Sequence, residues 1–276
     1  MELWYTEKQT QHLGITCQVK ETLCTKMTAF QELAILDTLQ FGKMLVLDGM
    51  VQTTVEDEFI YHEMITHVPL ATHPNPQKVL VIGGGDGGTI KQIIKHREVS
   101  RAVLVEIDEE VVTTCREHLP EISGGSLDDP RVEVIFTDGL EFVKTNKSEF
   151  DVILVDSTEP VGPAVGLFTQ EFYQNIYDAL KPEGIMVAQT ESPFYNRDLI
   201  RSVTHRIKKV FPLAHMYLAS IPTYPSGLWS FTLGSKVHDP LKVQEFKRLD
   251  TRYYSPEIHR SSFVLPGFVK ELMEGK

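Results

Sequence analysis

The chain has 276 residues, 42% of them hydrophobic and 24% charged, and a formal net charge of −11. This is the composition of a folded globular protein with one large core and room for a smaller satellite, and it lacks the Lys/Arg stripe that a nucleic-acid partner requires. No run approaches about 18 apolar residues, and the start Met1-Glu2-Leu3-Trp4-Tyr5 has no secretory pattern, so no membrane partner is expected and a cytoplasmic location is.

Residues 1–72 read as a small β-rich domain. Around Leu45-Val46-Leu47-Asp48-Gly49-Met50-Val51 a turn-forming Asp-Gly separates two apolar runs, which predicts a hairpin, and a helix is predicted over 57–68. His73-Pro74-Asn75-Pro76 then interrupts the chain, and the domain boundary is placed there, leaving 73–276 as the second domain. In that second part strands are predicted at 79–83, 101–108, 132–138, 150–156 and 184–190, alternating with helices at 89–96, 109–119, 140–145 and 170–180. Two further strands are predicted at 214–221 and 228–233. Such alternation predicts an α/β fold with a mostly parallel sheet, and the all-apolar run Val152-Ile153-Leu154-Val155 marks a central strand covered on both faces. Cys17, Cys24 and Cys115 form no CxxC pair and no even set, so free thiols are expected.

Gly83-Gly84-Gly85-Asp86-Gly87-Gly88 follows the first of these strands and opens a helix, a turn through which a ligand can approach the backbone closely. The spacing of Gly83, Gly85 and Gly88 fits NAD enzymes and S-adenosylmethionine enzymes alike. Glu106, about 20 residues on at the end of the next strand, is placed to grip a ribose diol. Asp138, at the end of the third strand, faces an adenine amino group or caps the following helix. Asp86 separates the classes. Its carboxylate would repel both a pyrophosphate and the methionine carboxylate of S-adenosylmethionine. It would attract a ligand with an ammonium group and no carboxylate, such as decarboxylated S-adenosylmethionine.

The fourth strand delivers Asp156-Ser157-Thr158-Glu159-Pro160 to the same carboxyl edge. Asp86, Asp156 and Glu159 together could hold a hard cation or an organic polycation. With the glycine run, the strand end Glu106-Ile107-Asp108, the segment Asp57-Glu58-Phe59-Ile60-Tyr61-His62-Glu63-Met64 and Ile221-Pro222-Thr223-Tyr224-Pro225-Ser226-Gly227, the chain resembles the spermidine synthases, the polyamine aminopropyltransferase family, over nearly its whole length.

The resemblance implies a small N-terminal β domain before a Rossmann-like, methyltransferase-type domain, assembled as a homodimer or homotetramer. Gln31, Glu106, Asp138 and Gly139 match the thioadenosine positions, Pro163 a gatekeeping loop over them, and Asp86 the aspartate that holds the aminopropyl arm. Tyr61, His62, Asp86, Asp156, Ser157, Thr158, Glu159 and Tyr224 match the amine-acceptor side, with Asp156 as the base. His62 stands where many members have glutamine, and Glu159 where aspartate is usual. The implied substrates are decarboxylated S-adenosylmethionine, as co-substrate rather than cofactor, and putrescine, with no metal. Competing readings are a methyltransferase on the same fold, an NAD-dependent oxidoreductase, a silent polyamine-binding protein, and transfer to agmatine or cadaverine.

Overall fold

The computed structural model describes residues 2–158 and 162–274. The chain opens with five antiparallel strands, β1 (Leu3–Lys8), β2 (Gly14–Met27), β3 (Glu32–Thr38), β4 (Gly42–Leu47) and β5 (Met50–Thr54), paired in sequence order. The expected Asp-Gly turn joins β4 to β5 with Leu47 opposite Met50. Both turn residues have positive φ, 48° at Asp48 and 77° at Gly49, which is the type I′ geometry whose twist suits a hairpin.

Helix α1 (Glu58–Thr72) follows. Thirteen of its 15 residues are buried, so it shows no amphipathic period and its length cannot be read from one. It runs through Pro69, past the expected end at residue 68, because burial on every side outweighs the single backbone hydrogen bond that proline forfeits.

The rest of the chain supplies β6 (Lys78–Gly83), α2 (Gly88–Ile93), β7 (Arg101–Glu106), α3 (Glu109–His118), α4 (Pro120–Ser123), β8 (Val132–Phe136), α5 (Gly139–Thr145) and β9 (Phe150–Asp156). After these come α6 (Gln170–Ala179), β10 (Leu180–Gln189), α7 (Arg197–Val210), β11 (Leu213–Ser220), β12 (Leu228–Ser235), α8 (Pro256–Ser262) and α9 (Gly267–Glu274). Seven strands form one sheet in the order β11-β12-β10-β9-β6-β7-β8. The five from β10 to β8 are parallel and β12 is antiparallel to both its neighbours. This is the Rossmann-like, methyltransferase-type order, beside a small N-terminal β domain.

Helices α1 and α2 cover one face of the sheet and α5, α6 and α7 the other. Val152, Ile153, Leu154 and Val155 in β9 are accordingly 0–3% exposed. The N-terminal sheet seats on α3 and α4 through Leu33, Ile35, Leu45 and Leu47 against Val111, Cys115, Leu119 and Ile122. All three cysteines are free. The strand order reverses between β6 and β9, and the crevice at their carboxyl ends is where such sheets bind ligands. The N-terminal sheet closes over that edge.

Candidate active site

A cleft of about 1180 Å³, counted to its open mouth, lies at this crevice. Gln31, Tyr61, His62, Asp86, Glu106, Asp138, Gly139, Asp156, Ser157, Thr158 and Tyr224 all line it. Residues as far apart as 31 and 224 therefore line one cleft. Of the other expected site residues, Glu159 lies outside the described residues. Pro163 belongs to the helical turn Gly162–Phe168, whose Ala164 and Leu167 also line the cleft.

One half of the cleft is built around β7. Glu106 ends that strand, where the N–H groups of Ile107 and Asp108 donate to its Oε1 at 2.8 and 3.1 Å. Burial nonetheless pushes its carboxyl up to about 7. Gln31 reaches in from the N-terminal domain and its Nε2 donates to Asp108 Oδ2 at 2.9 Å, an oxygen that also accepts from Thr28 Oγ at 2.7 Å. Asp108 in turn caps α3, so one carboxylate pins the N-terminal domain to the β7–α3 turn. Asp138 caps α5 by accepting from the Leu140 N–H at 2.8 Å and lines the cleft as well; capping and ligand contact are compatible there.

Asp86 stands at the centre, its Oδ1 accepting from the Gly88 N–H at 2.7 Å and lying 3.4 Å from His62 Nε2. Burial raises the Asp86 pKa, but His62 outweighs it and holds the carboxyl below its ordinary value. The expected role of His62 was on the acceptor side. In the structure both its ring nitrogens face carboxylates, because Nδ1 donates to Glu58 Oε2 at 2.5 Å. Burial disfavours a charged ring, yet Asp86 and Glu58 together hold its pKa well above the usual value.

Asp156, at the end of β9, accepts from Tyr61 Oη at 2.7 Å on Oδ1 and from Thr89 Oγ at 2.6 Å on Oδ2. It fits beside the glycine turn because Gly84, with φ 72°, has no side chain; a Cβ there would stand 2.6 Å from Asp156 Oδ2. Burial first, and the Asp86 charge second, raise the Asp156 pKa. Two carboxylates in one crevice are thus driven in opposite directions, the arrangement by which a site separates a group that stays ionised from one that exchanges a proton.

Beyond Asp156 a side chamber is walled by Tyr61, Tyr224 and Trp229 and lined also by Glu7, Gln52 and Glu191. The Tyr224 hydroxyl donates to the Gln52 carbonyl at 2.5 Å, so Tyr224 offers the chamber its ring. Its loop is anchored by Asp57, whose Oδ2 accepts from the Thr223 N–H and Oγ at 3.0 and 2.7 Å.

Sequence reasoning missed Glu7, Gln52, Glu58, Thr89, Glu191 and Trp229. Two carried a signal: Glu58 precedes His62 by four residues on one helix, and Glu191 directly follows the expected strand 184–190 at the sheet's binding edge. Glu7 and Gln52 carried none, since only the docking of the N-terminal sheet brings them to the chamber.

This strand order, with acids converging at the switch point, defines an α/β transferase of the methyltransferase-like class. The chain belongs to the spermine/spermidine synthase family, the polyamine aminopropyltransferases: residues 58–244 match the spermine/spermidine synthase domain and residues 3–55 the spermidine synthase tetramerisation domain. It is 62% identical to the polyamine aminopropyltransferase of Caldicellulosiruptor saccharolyticus over 99% of both chains, and 55% identical to that of Bacillus mycoides over 99% of this chain and 100% of the other. A solved spermidine synthase in complex with the transition state analogue AdoDATO superposes with a TM-score of 0.96 at 43% identity, covering 99% of this chain and 96% of that one. The Thermotoga maritima spermidine synthase superposes with a TM-score of 0.94 at 43% identity, covering 99% and 95%. Among the described residues no helix is long and apolar enough to cross a membrane.

Proposed function

We propose that this aminopropyltransferase moves the aminopropyl group of decarboxylated S-adenosylmethionine to putrescine, giving spermidine and methylthioadenosine. The observation that carries this reading is the meeting at one crevice of Asp86, set against His62 and the Gly88 N–H, with Asp156, whose two oxygens accept from Tyr61 and Thr89. Asp86 suits the donor's ammonium and repels the carboxylate of ordinary S-adenosylmethionine, which argues against a methyltransferase. The acids and rings of the side chamber suit the far ammonium and the carbon chain of a diamine.

In the reaction the acceptor nitrogen attacks the carbon beside the sulfonium, a C–N bond forms, and the C–S bond breaks with its electron pair going to sulfur. The sulfonium is an activated leaving group, so the protein's work is orientation and proton transfer. An aliphatic amine with a pKa near ~10.4 must be deprotonated to attack, which costs roughly 4 to 5 kcal/mol at neutral pH. Asp156 takes that proton. Its raised pKa narrows the mismatch with the amine, and Tyr61 and Thr89 fix the direction of both carboxylate oxygens. Gln31, Glu106, Asp138 and Gly139 hold the thioadenosine; Ser157 and Thr158 continue the acceptor wall; the acceptor role of Glu159 and the donor-covering role of the Pro163 segment rest on the family resemblance.

The deciding assay incubates the protein with decarboxylated or ordinary S-adenosylmethionine and, separately, putrescine, cadaverine, agmatine or spermidine, and identifies products by mass. Spermidine from the decarboxylated donor and putrescine is expected; a methylated product from the ordinary donor would overturn the reading. The match of residues 3–55 to a tetramerisation domain supports a homotetramer built through the N-terminal sheets, which light scattering tests against a dimer.

A further inference from the structure

Lys91, Glu58, His62 and Asp86 form a line of alternating charge that ends in the cleft. Lys91 Nζ donates to Glu58 Oε1 at 2.7 Å, His62 Nδ1 meets Glu58 Oε2 at 2.5 Å, and His62 Nε2 lies 3.4 Å from Asp86 Oδ1. The side chains of His62 and Glu58 are only 2% and 8% exposed. A neutral imidazole has one N–H and can donate to one carboxylate; a ring between two carboxylates carries both protons.

The surroundings favour that cation. Facing the ring are Glu58 and the edge of Tyr61 from α1, Asp86 from the β6–α2 turn, and Asp156 from the end of β9. Against these acids stands Lys91 from α2, already paired with Glu58. The ring lies flat on the start of α2, where a Cβ on Gly88 would stand 2.2 Å from His62 Cε1, so it cannot retreat from Asp86 in that direction.

An ammonium seated on Asp86 would therefore meet an imidazolium at close range in a desolvated site. Two like charges there cannot both be retained cheaply, and the imidazolium is by far the stronger acid.

We propose that His62 is a resident counter-cation which the substrate ammonium replaces: when an amine-bearing ligand occupies Asp86, His62 releases its Nε2 proton to solvent through the cleft and keeps the Nδ1–H toward Glu58. Glu58 and Lys91 are then positioning residues that set the charge of His62. The empty site keeps Asp86 ionised without an exposed, unpaired carboxylate, and binding of the amine is linked to proton release. The inference rests on the reading that the donor's ammonium sits on Asp86.

The test compares calorimetric binding of decarboxylated S-adenosylmethionine and methylthioadenosine to the full chain, in neutral buffers of different ionisation heat. Protons released by the shared nucleoside, for instance from Glu106, cancel in the difference between the two ligands. The amine-bearing ligand should release an excess approaching about one proton per site. Glu58→Gln should reduce the excess and His62→Gln abolish it. In the unmutated protein, nitrogen NMR of the histidines should show His62 pass from imidazolium to the Nδ1–H tautomer with the amine-bearing ligand and stay cationic with methylthioadenosine; this decides the matter even if a variant fails to fold. Equal proton release by both ligands, or a ring still cationic with the donor bound, overturns the inference while Asp86-dependent binding survives. Absence of Asp86-dependent donor binding would instead overturn the donor reading beneath it.

Discussion

Tyr61 Oη donates to Asp156 Oδ1 at 2.7 Å across 95 residues of sequence, joining the second turn of α1 to the carboxyl end of β9. The Tyr61 side chain is buried and its pKa stands well above the ordinary value, first from burial and then from Asp156 itself, so it remains a donor throughout the working range. In the proposed role of Asp156 as base, Tyr61 orients the carboxylate without competing for the proton. Tyr61→Phe removes a hydrogen bond to a charged group, worth roughly 1.5–3 kcal/mol, and should lower turnover about 10- to 100-fold with little change in methylthioadenosine binding. Single-turnover rates beside calorimetric affinities check this, and loss of both together would make Tyr61 a fold residue only.

Asp156→Asn retains size and some hydrogen bonding but cannot accept the amine proton. Turnover should fall about 10²- to 10⁴-fold with donor binding nearly intact. Raising the pH supplies free amine from solution, so the variant should recover part of its rate between neutral and alkaline pH while the parent gains less. A variant with near-normal neutral turnover would remove Asp156 from the role of base.

Glu106 gives a pH dependence whose direction can be worked out. Burial raises its pKa from the ordinary carboxylate range to about 7 in the empty protein, so the folded state holds a proton that the unfolded state has already lost. Its contribution to stability is fully present below the unfolded value and disappears as pH rises through about 7. Ligand binding runs the other way, because the ionised carboxylate is the better acceptor for ribose hydroxyls. Methylthioadenosine affinity should rise from pH 5.5 to about 7.5 and then level off. Glu106→Gln should flatten both profiles, and a binding curve whose slope survives that substitution would assign the proton elsewhere.

The second domain was legible because its strands are apolar runs closed by acids, and the rule that ligands bind at carboxyl ends converts those acids into a site. Asp86, Glu106, Asp138 and Asp156 follow from that rule together with the glycine turn, and all four line the cleft. Expected strands 101–108 and 132–138 overran the observed ends by two residues each, since Glu106 and Asp138 already turn their side chains to local N–H groups. Tyr61, His62 and Tyr224 carry no such signal and entered only through the family resemblance: the buried helix of Tyr61 and His62 has no face pattern to mark which side is functional, and Tyr224 sits on the loop between β11 and β12. Glu7 and Gln52 lie beyond sequence reasoning for a different reason: only the docking of the N-terminal sheet brings them to the chamber.

Glu191 lies two residues past the end of β10 with no exposed surface and a φ of 70°, a conformation costly for a non-glycine residue and frequent at ligand sites. Its place in the side chamber with Tyr61 and Tyr224 suits the far ammonium of the proposed acceptor. Glu191→Gln should raise the acceptor KM roughly 10- to 100-fold, the loss of one charge-assisted contact, and leave donor affinity unchanged. A fall in kcat at an unchanged KM would place Glu191 outside the acceptor's path.

Gly88 opens α2 directly beneath the His62 ring. The Cβ of Gly88→Ala would stand 2.2, 2.3 and 2.6 Å from three ring atoms, and the ring cannot yield freely because Glu58 and Asp86 hold it from both sides. Overpacking of this kind costs typically about 1–3 kcal/mol, against which alanine's better helix propensity returns less than about 1 kcal/mol. The variant should therefore unfold at lower denaturant concentration. It should also release fewer protons on binding decarboxylated S-adenosylmethionine, since a displaced ring no longer faces Asp86, while methylthioadenosine affinity stays close to that of the parent. Chemical denaturation together with calorimetry on both ligands separates these effects; equal weakening of the two ligands would mean that the substitution disturbs the glycine turn itself and not the His62–Asp86 pair.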